Sequence, residues 1–159
     1  NPSNKKLEEG DILIIDTGST FDGYFCDFDR NFGFGKISVE AQKAYNILWQ
    51  ATEKGLEKAR PGSTCQDVNN AMLNVLNKSG ETSNSVGRMG HGLGLQVTEP
   101  PSIHIEDKTI LKENMIIALE PCFEYMPGKM LVHEENILIT KNGYELLTSR
   151  TPKNIPIIT

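Results

Sequence analysis

The order of sequence patterns along this chain predicts an α+β fold with the helices gathered on one side of a sheet. Two apolar segments near the start are typical of a strand pair, two amphipathic segments follow, and further apolar segments come after them. A length of 159 residues with 38% hydrophobic content fits one globular domain with a core of its own.

The first strand pair is predicted to form a hairpin. Residues 11–16 (DILIID) are short, apolar and β-branched, which predicts a largely buried strand. Gly18 and the Asp22-Gly23 pair supply turn residues, and Tyr24 to Phe34 are predicted to return as the second strand.

Two helices are predicted next. Ser38 can cap the first, whose buried stripe has spacings of three and four residues: Tyr45, Leu48, Trp49, Thr52, Leu56 and Ala59. Residues 60–62 (RPG) end this helix. Thr64 and Asp67 form a capping box for the second helix, which is predicted to close at Gly80.

The remaining chain is predicted to alternate between a glycine-rich segment and strands. Residues 90–101 (GHGLGLQVTEPP) are too glycine-rich for a helix and too apolar for a disordered linker, which predicts irregular backbone held close to another part of the protein. Residues 115–119 (MIIAL), 130–140 (MLVHEENILIT) and 143–147 are predicted strands.

Charge and cysteine content exclude several classes of protein. A net charge of −5 without a basic cluster argues against a surface that binds nucleic acid or an anionic membrane. No apolar run approaches the roughly 18 residues of a transmembrane span. Cys26, Cys65 and Cys122 are odd in number and widely spaced, which suits a reducing compartment, so a cytoplasmic protein is predicted.

Acidic side chains lie at the end of, or inside, several predicted strands. Burying a carboxylate is costly unless it is paired, hydrogen-bonded or bound to a metal. Alternation along a strand places three acids on apolar faces. Asp16 shares its face with Ile12 and Ile14, and Glu120 shares its face with Ile116 and Ala118. Glu135 shares its face with Leu131, His133, Ile137 and Ile139. Asp27 and Asp29 share one face, so alternation does not choose between them.

With His91, these acids form a set of one imidazole and four carboxylates. Such a set suits two adjacent divalent cations, such as manganese, cobalt, iron or zinc. The simpler alternative is that each acid belongs to a turn or to an ion pair.

Five motifs in order resemble one superfamily: IDTG, YFCDFDRNF, GHGLGLQVTEPP, ALEPCF and VHEENILIT. They are similar to those of the pita-bread metallohydrolases, which include methionine aminopeptidase, prolidase, aminopeptidase P and creatinase. The resemblance runs over residues 10–148 and is greatest to the Xaa-Pro peptidases, prolidase and aminopeptidase P. It implies that residues 1–159 form a single catalytic domain, the larger C-terminal part of a pita-bread fold without its N-terminal portion.

The resemblance also implies a ligand set and a reaction. Asp16 would bind one metal ion, His91 and Glu120 the other, and Asp27 and Glu135 would bridge the two. The step of eleven residues from Asp16 matches Asp27, not Asp29, to the family's ligand. The reaction implied is hydrolysis of an amide bond next to proline in a peptide or small amide substrate, with Glu120 as the catalytic proton acceptor. A homodimer is the predicted assembly.

Two positions depart from the family pattern. Thr98 replaces a second histidine that helps to bind substrate, and His133 stands where prolidase relatives often have arginine two residues before the bridging glutamate. Both are predicted to contact substrate. These departures favour a first alternative, a non-peptidase enzyme that resembles creatinase, ectoine hydrolase or a sulfonium lyase. A second alternative is a binding module without catalysis, because a fold does not fix a function.

Overall fold

A computed structural model describes residues 3–79 and 87–159 of the chain. The helices are α1 (Val39–Lys58) and α2 (Cys65–Lys78). The strands are β1 (Ile12–Phe21), β2 (Tyr24–Phe34), β3 (Gly90–Gly92), β4 (Glu99–Ser102), β5 (Ile116–Leu119), β6 (Cys122–Met126), β7 (Lys129–Val132), β8 (Glu135–Thr140), β9 (Gly143–Leu146) and β10 (Ile157–Ile158).

The predicted hairpin is present, but its first strand is longer than the sequence indicated. β1 and β2 pair antiparallel, and their turn lies at Asp22 and Gly23, which both have positive φ angles. The expectation that Gly18 belongs to the turn is wrong, because Gly18 lies inside β1 opposite Asp27. A Cβ atom at Gly18 would lie 2.5 Å from the carbonyl oxygen of Cys26, so glycine is needed there for close approach of the strands.

Both predicted helix starts are confirmed. The Ser38 side chain accepts a hydrogen bond from the Ala41 amide, and Thr64 and Asp67 form the reciprocal capping box. The described part of α2 ends at Lys78, and the predicted closing residue Gly80 lies outside the described residues. The helices pack on each other and on the larger sheet through one apolar core, which includes Tyr45, Leu48, Leu56, Val68, Met72, Leu76, Ile117, Leu119, Ile137 and Ile139.

That larger sheet has the strand order β4-β3-β5-β8-β9. The glycine-rich segment contributes β3 and β4 to it, so the prediction of irregular backbone throughout residues 90–101 is wrong in part. Close approach is confirmed at Gly90, where a Cβ atom would lie 2.1 Å from the carbonyl oxygen of Ala118.

The predicted strand over residues 130–140 is interrupted. β7 ends at Val132 and pairs with β6, whereas β8 begins at Glu135 and lies in the larger sheet. Between them, the His133 amide donates to the carbonyl oxygen of Pro121. Alternation therefore does not continue from Leu131 to Glu135, because it holds only within one unbroken strand.

Within residues 3–79 and 87–159, neither helix is long and apolar enough to cross a membrane.

Candidate metal centre

Three side chains from different parts of the fold meet at one point. Asp27 of β2, His91 of β3 and Glu134, which lies between β7 and β8, each offer a ligand atom, and these atoms lie within 4.8 Å of one another. The Nε2 atom of His91 is 3.9 Å from Asp27 Oδ2 and 3.7 Å from Glu120 Oε1. Carboxylate and imidazole groups at such spacing are typical of a divalent metal site.

The orientation of His91 leaves one ring nitrogen available to the cluster. Its ring is buried, and Nδ1 lies 2.9 Å from the carbonyl oxygen of Gly92, to which an Nδ1–H group can donate. In that tautomer Nε2 has a free lone pair on the side of Asp27 and Glu120.

Glu120 follows β5 and faces both a histidine and an arginine. Arg88 Nε lies 3.3 Å from Glu120 Oε1. Burial raises the pKa of Glu120, and the nearby His91 and Arg88 partly offset that rise. A carboxylate with a raised pKa is better suited to hold a proton near neutral pH than an ordinary glutamate.

Asp16 approaches the cluster from β1. Its Cα partner across the hairpin is Asp29, and Gly18 stands opposite Asp27. Asp16 is solvent-exposed, and its negative charge contributes to the raised pKa values of Asp27, Asp29 and Glu134. Asp16 therefore lies in the same hairpin as Asp27 and Asp29, but it is not among the three residues whose ligand atoms lie within 4.8 Å of one another.

The acids at this point repel one another. Burial, and then the charges of Asp27 and Asp29, raise the pKa of Glu134 to about 9. Burial, and then the charge of Asp16, raise the pKa of Asp29 to about 7. Within the part of the chain that the structure describes, Glu134 Oε1 and Asp29 Oδ1 are buried without a hydrogen-bond partner. Bound cations would satisfy both the charge and the unpaired oxygen atoms, so this cluster fits divalent metal ions.

Glu135, which the sequence predicts as a bridging ligand, does not face this cluster. Its Oε1 atom accepts hydrogen bonds from Arg150 Nη1 at 3.1 Å and from the Thr151 amide and hydroxyl at 2.9 and 2.6 Å. Its Oε2 atom lies 3.1 Å from the Thr148 hydroxyl and 3.5 Å from Arg30 Nη2. The acid that the structure brings to the cluster is Glu134. The break after β7 cancels the alternation that supported Glu135, and the geometry does not agree with the bridging role that the resemblance implied for Glu135.

The burial of the residues around the two acids agrees with this break. In one continuous strand Glu134 and Glu135 would point to opposite faces, so one of them would lie away from the apolar row. In the structure both are buried, as are His133 and Asn136. A run of consecutive buried polar residues is incompatible with simple alternation on a sheet that has one solvated face.

Thr98 and His133, predicted to contact substrate, lie in different surroundings. Thr98 lines a cleft of about 350 Å³ together with Arg88 and His91, beside the cluster. His133 lies in the core, with Nδ1 3.1 Å from the Thr52 hydroxyl and its ring edge-on to Tyr45. Burial, and then the charges of Arg150 and Arg30, lower the pKa of His133 to about 3, so the ring is neutral. With Glu134 in the cluster, His133 also no longer stands two residues before the clustered glutamate.

Comparison with known proteins agrees with this fold. The sequence pattern of metallopeptidase family M24 matches residues 1–141. An Xaa-Pro dipeptidase of Pyrococcus horikoshii is 35% identical over 148 residues, which are 92% of this chain and 42% of that protein. A solved dipeptidase from the same organism has a TM-score of 0.92 at 32% identity, covering 99% of this chain and 44% of its own. A methionine aminopeptidase from Rickettsia prowazekii has a TM-score of 0.80 at 27% identity, covering 93% of this chain and 68% of its own.

These matches confirm the predicted α+β pita-bread fold. The chain belongs to metallopeptidase family M24. It spans less than half the length of the dipeptidases reported above.

Proposed function

We propose that this chain carries the dinuclear metal centre of a peptidase that hydrolyses an amide bond next to proline. The observation that supports this most directly is the meeting of Asp27, His91 and Glu134 within 4.8 Å. The similarity to an Xaa-Pro dipeptidase supports the choice of substrate.

Five side chains would hold the metal ions. They are Asp16, Asp27, His91 and Glu120, as the sequence predicts, with Glu134 in the place of Glu135. Carboxylates with a single imidazole suit manganese, cobalt, iron or zinc. Two such ions would lower the pKa of a bound water and polarise the amide carbonyl.

The chain's own residues would then bind and orient the substrate and move the proton. Glu120 would accept the proton of the attacking water at a carboxylate oxygen, and the raised pKa of Glu120 suits that role. Arg88, 3.3 Å from the same carboxylate, would stabilise its charged form. The Thr98 hydroxyl in the cleft would donate a hydrogen bond to the substrate.

A non-peptidase hydrolase or lyase on the same fold is the second candidate. The observation that favours it is Thr98, because a hydroxyl in the cleft beside His91 cannot carry the positive charge that a second histidine can. A binding module without catalysis is disfavoured, since Asp27, His91 and Glu134 each offer a ligand atom within 4.8 Å of the others.

Metal analysis combined with a substrate panel separates these functions. The protein, loaded with Mn²⁺, should hydrolyse Xaa-Pro dipeptides faster than matched Xaa-Ala dipeptides and should leave creatine intact. Glu120→Gln should abolish turnover, whereas Glu113→Gln, at an exposed position, should behave as wild type. Creatine turnover without Xaa-Pro cleavage would favour the second candidate, and metal binding without any turnover would favour the binding module.

The homodimer and the cytoplasmic location remain predictions from the sequence. Sedimentation of the purified protein would test the first, and cell fractionation the second.

A further inference from the structure

Side-chain hydrogen bonds join two segments that carry proposed ligands but lie in different sheets. Asp27 lies in β2, and Glu134 immediately precedes β8, which belongs to a different sheet from β2. Arg30 Nη1 donates to the carbonyl oxygen of Glu134 at 2.8 Å, and Asn136 Nδ2 donates to that of Asp27 at 2.6 Å. Asn31 Nδ2 donates to the carbonyl oxygen of Val132. We call Arg30, Asn31 and Asn136 the cross-sheet seam.

The seam is reciprocal at the two proposed ligands. Arg30 lies three residues after Asp27 and holds the backbone of Glu134, and Asn136 lies two residues after Glu134 and holds the backbone of Asp27. No backbone ladder between β2 and β8 is present among the described residues. Among the described residues, these side-chain donors therefore join two segments that no ladder of backbone hydrogen bonds joins.

The burial of the two asparagines indicates that their donors are needed. Asn31 and Asn136 are 1% and 2% exposed, and within the described residues their amide oxygens have no hydrogen-bond partner. A buried polar atom without a partner costs free energy, so an apolar residue would fill the same space at lower cost. What an apolar residue cannot supply is the Nδ2–H bond to the opposite segment.

Arg30 is itself held in place by Glu135, the adjacent acid that lies outside the cluster. Glu135 Oε2 lies 3.5 Å from Arg30 Nη2, which also donates to the Ser149 carbonyl oxygen at 3.1 Å. Arg30 Nη1 donates to the Asp29 carbonyl oxygen at 2.7 Å in addition to Glu134. A planar guanidinium group can make these bonds at once, whereas a lysine ammonium group cannot reproduce the fork.

We propose that Arg30 and Asn136 are positioning residues that set the separation of the Asp27 and Glu134 carboxylates, and thereby whether two divalent ions are held as a pair. This inference rests on the proposed metal centre. Groups that orient metal ligands without touching the metal typically change metal affinity by 10- to 100-fold when they are replaced.

Titration of the chelator-treated protein with Mn²⁺ tests the inference. Bound metal is counted by equilibrium dialysis and elemental analysis, and electron paramagnetic resonance reports whether two bound ions are magnetically coupled. Asn136→Leu should bind one of the two ions at least 10-fold more weakly and lose the coupled signal. Asn69→Leu, at a buried asparagine of α2, is the matched control and should keep both ions and their coupling.

Arg30→Lys provides a second variant that keeps the charge, so the inference stays testable if Asn136→Leu does not fold. It should weaken the coupled signal in the same direction. Two coupled Mn²⁺ ions with wild-type affinity in either folded seam variant would overturn the inference. Failure of the wild-type protein to bind Mn²⁺ would instead contradict the proposed function, and the inference with it, before any variant is compared.

Discussion

Replacement of Glu134 by glutamine should have opposite effects on the metal-free and the metal-loaded protein. Glu134 is buried beside Asp27 and Asp29, and its pKa is raised to about 9 from an ordinary value of 4.5. Folding without metal therefore costs free energy at neutral pH, because the carboxyl group must either keep its proton or remain charged among other acids.

The sign and size of this cost follow from proton linkage. A carboxyl group with a raised folded pKa binds its proton more tightly in the folded state, so metal-free stability falls as pH rises from 4.5 towards about 9. At about 1.4 kcal/mol per pH unit, the cost reaches about 3 kcal/mol at pH 7. Glu134→Gln has no such group, so the metal-free variant should be more stable than metal-free wild type by up to that amount.

With Mn²⁺ the order should reverse. Wild type gains stability in proportion to the logarithm of metal concentration over the dissociation constant, and the variant should lose at least one ion and most of that gain. Urea unfolding of chelator-treated and Mn²⁺-loaded samples at pH 5 and pH 7, with elemental analysis, measures both effects.

Glu135→Gln is the matched control because it changes the adjacent acid in the same way. Glu135 forms ion pairs with Arg150 and Arg30, and removing one partner of a buried ion pair typically costs about 3–5 kcal/mol. Metal-free stability should therefore drop rather than rise, which separates Glu135→Gln from Glu134→Gln. This assignment is refuted if Glu134→Gln keeps full metal content and is no more stable than metal-free wild type, or if metal-free Glu135→Gln is more stable than metal-free wild type.

Three further predictions concern the cleft, the sheet and the core. Thr98→Val should lower kcat/KM about ten-fold and leave the metal content unchanged, because the loss of a hydrogen bond of about 1.4 kcal/mol gives that factor. The control Thr20→Val should leave kcat/KM unchanged. Gly90→Ala should destabilise the protein by about 3 kcal/mol in urea unfolding, because a Cβ atom there meets a backbone carbonyl, whereas Gly128→Ala has no close neighbour and should cost only about 1 kcal/mol. The pKa of His133 is lowered to about 3, so below pH 6.5 only the unfolded chain binds a proton at this residue, and the free energy of unfolding should fall with pH. In His133→Phe the free energy of unfolding should depend less on pH between pH 6.5 and 4.

Features set by a few neighbouring residues could be predicted from the sequence. The helix caps at Ser38 and Thr64 depend on side chains within three residues of the helix start, and the hairpin turn depends on Asp22 and Gly23. These interactions are local, so the rest of the fold does not alter them.

Features that depend on distant pairing could not be predicted in the same way. Gly18 has the composition of a turn residue, but the opposite strand requires glycine there because the Cys26 carbonyl oxygen lies so near. The break between β7 and β8 arises because the first pairs with β6 and the second with β5. No residue between Met130 and Thr140 is a glycine or a proline, so the chain shows no local signal of a change of sheet.

The two adjacent glutamates show why residue type alone could not assign the site. Glu134 and Glu135 have the same side chain and similar burial, and they differ in the charges that surround them. Burial and the charges of Asp27 and Asp29 raise the pKa of Glu134, so its surroundings do not stabilise its charged form. Arginines and hydroxyl groups surround Glu135, so the protein itself stabilises its charge. The acid that the fold leaves without a cationic partner among the described residues is the one that is available to a metal ion. Which of the two acids this is depends on Arg30 and Arg150, which pair with Glu135. Arg30 lies more than 100 positions before Glu135, and Arg150 lies 15 positions after it.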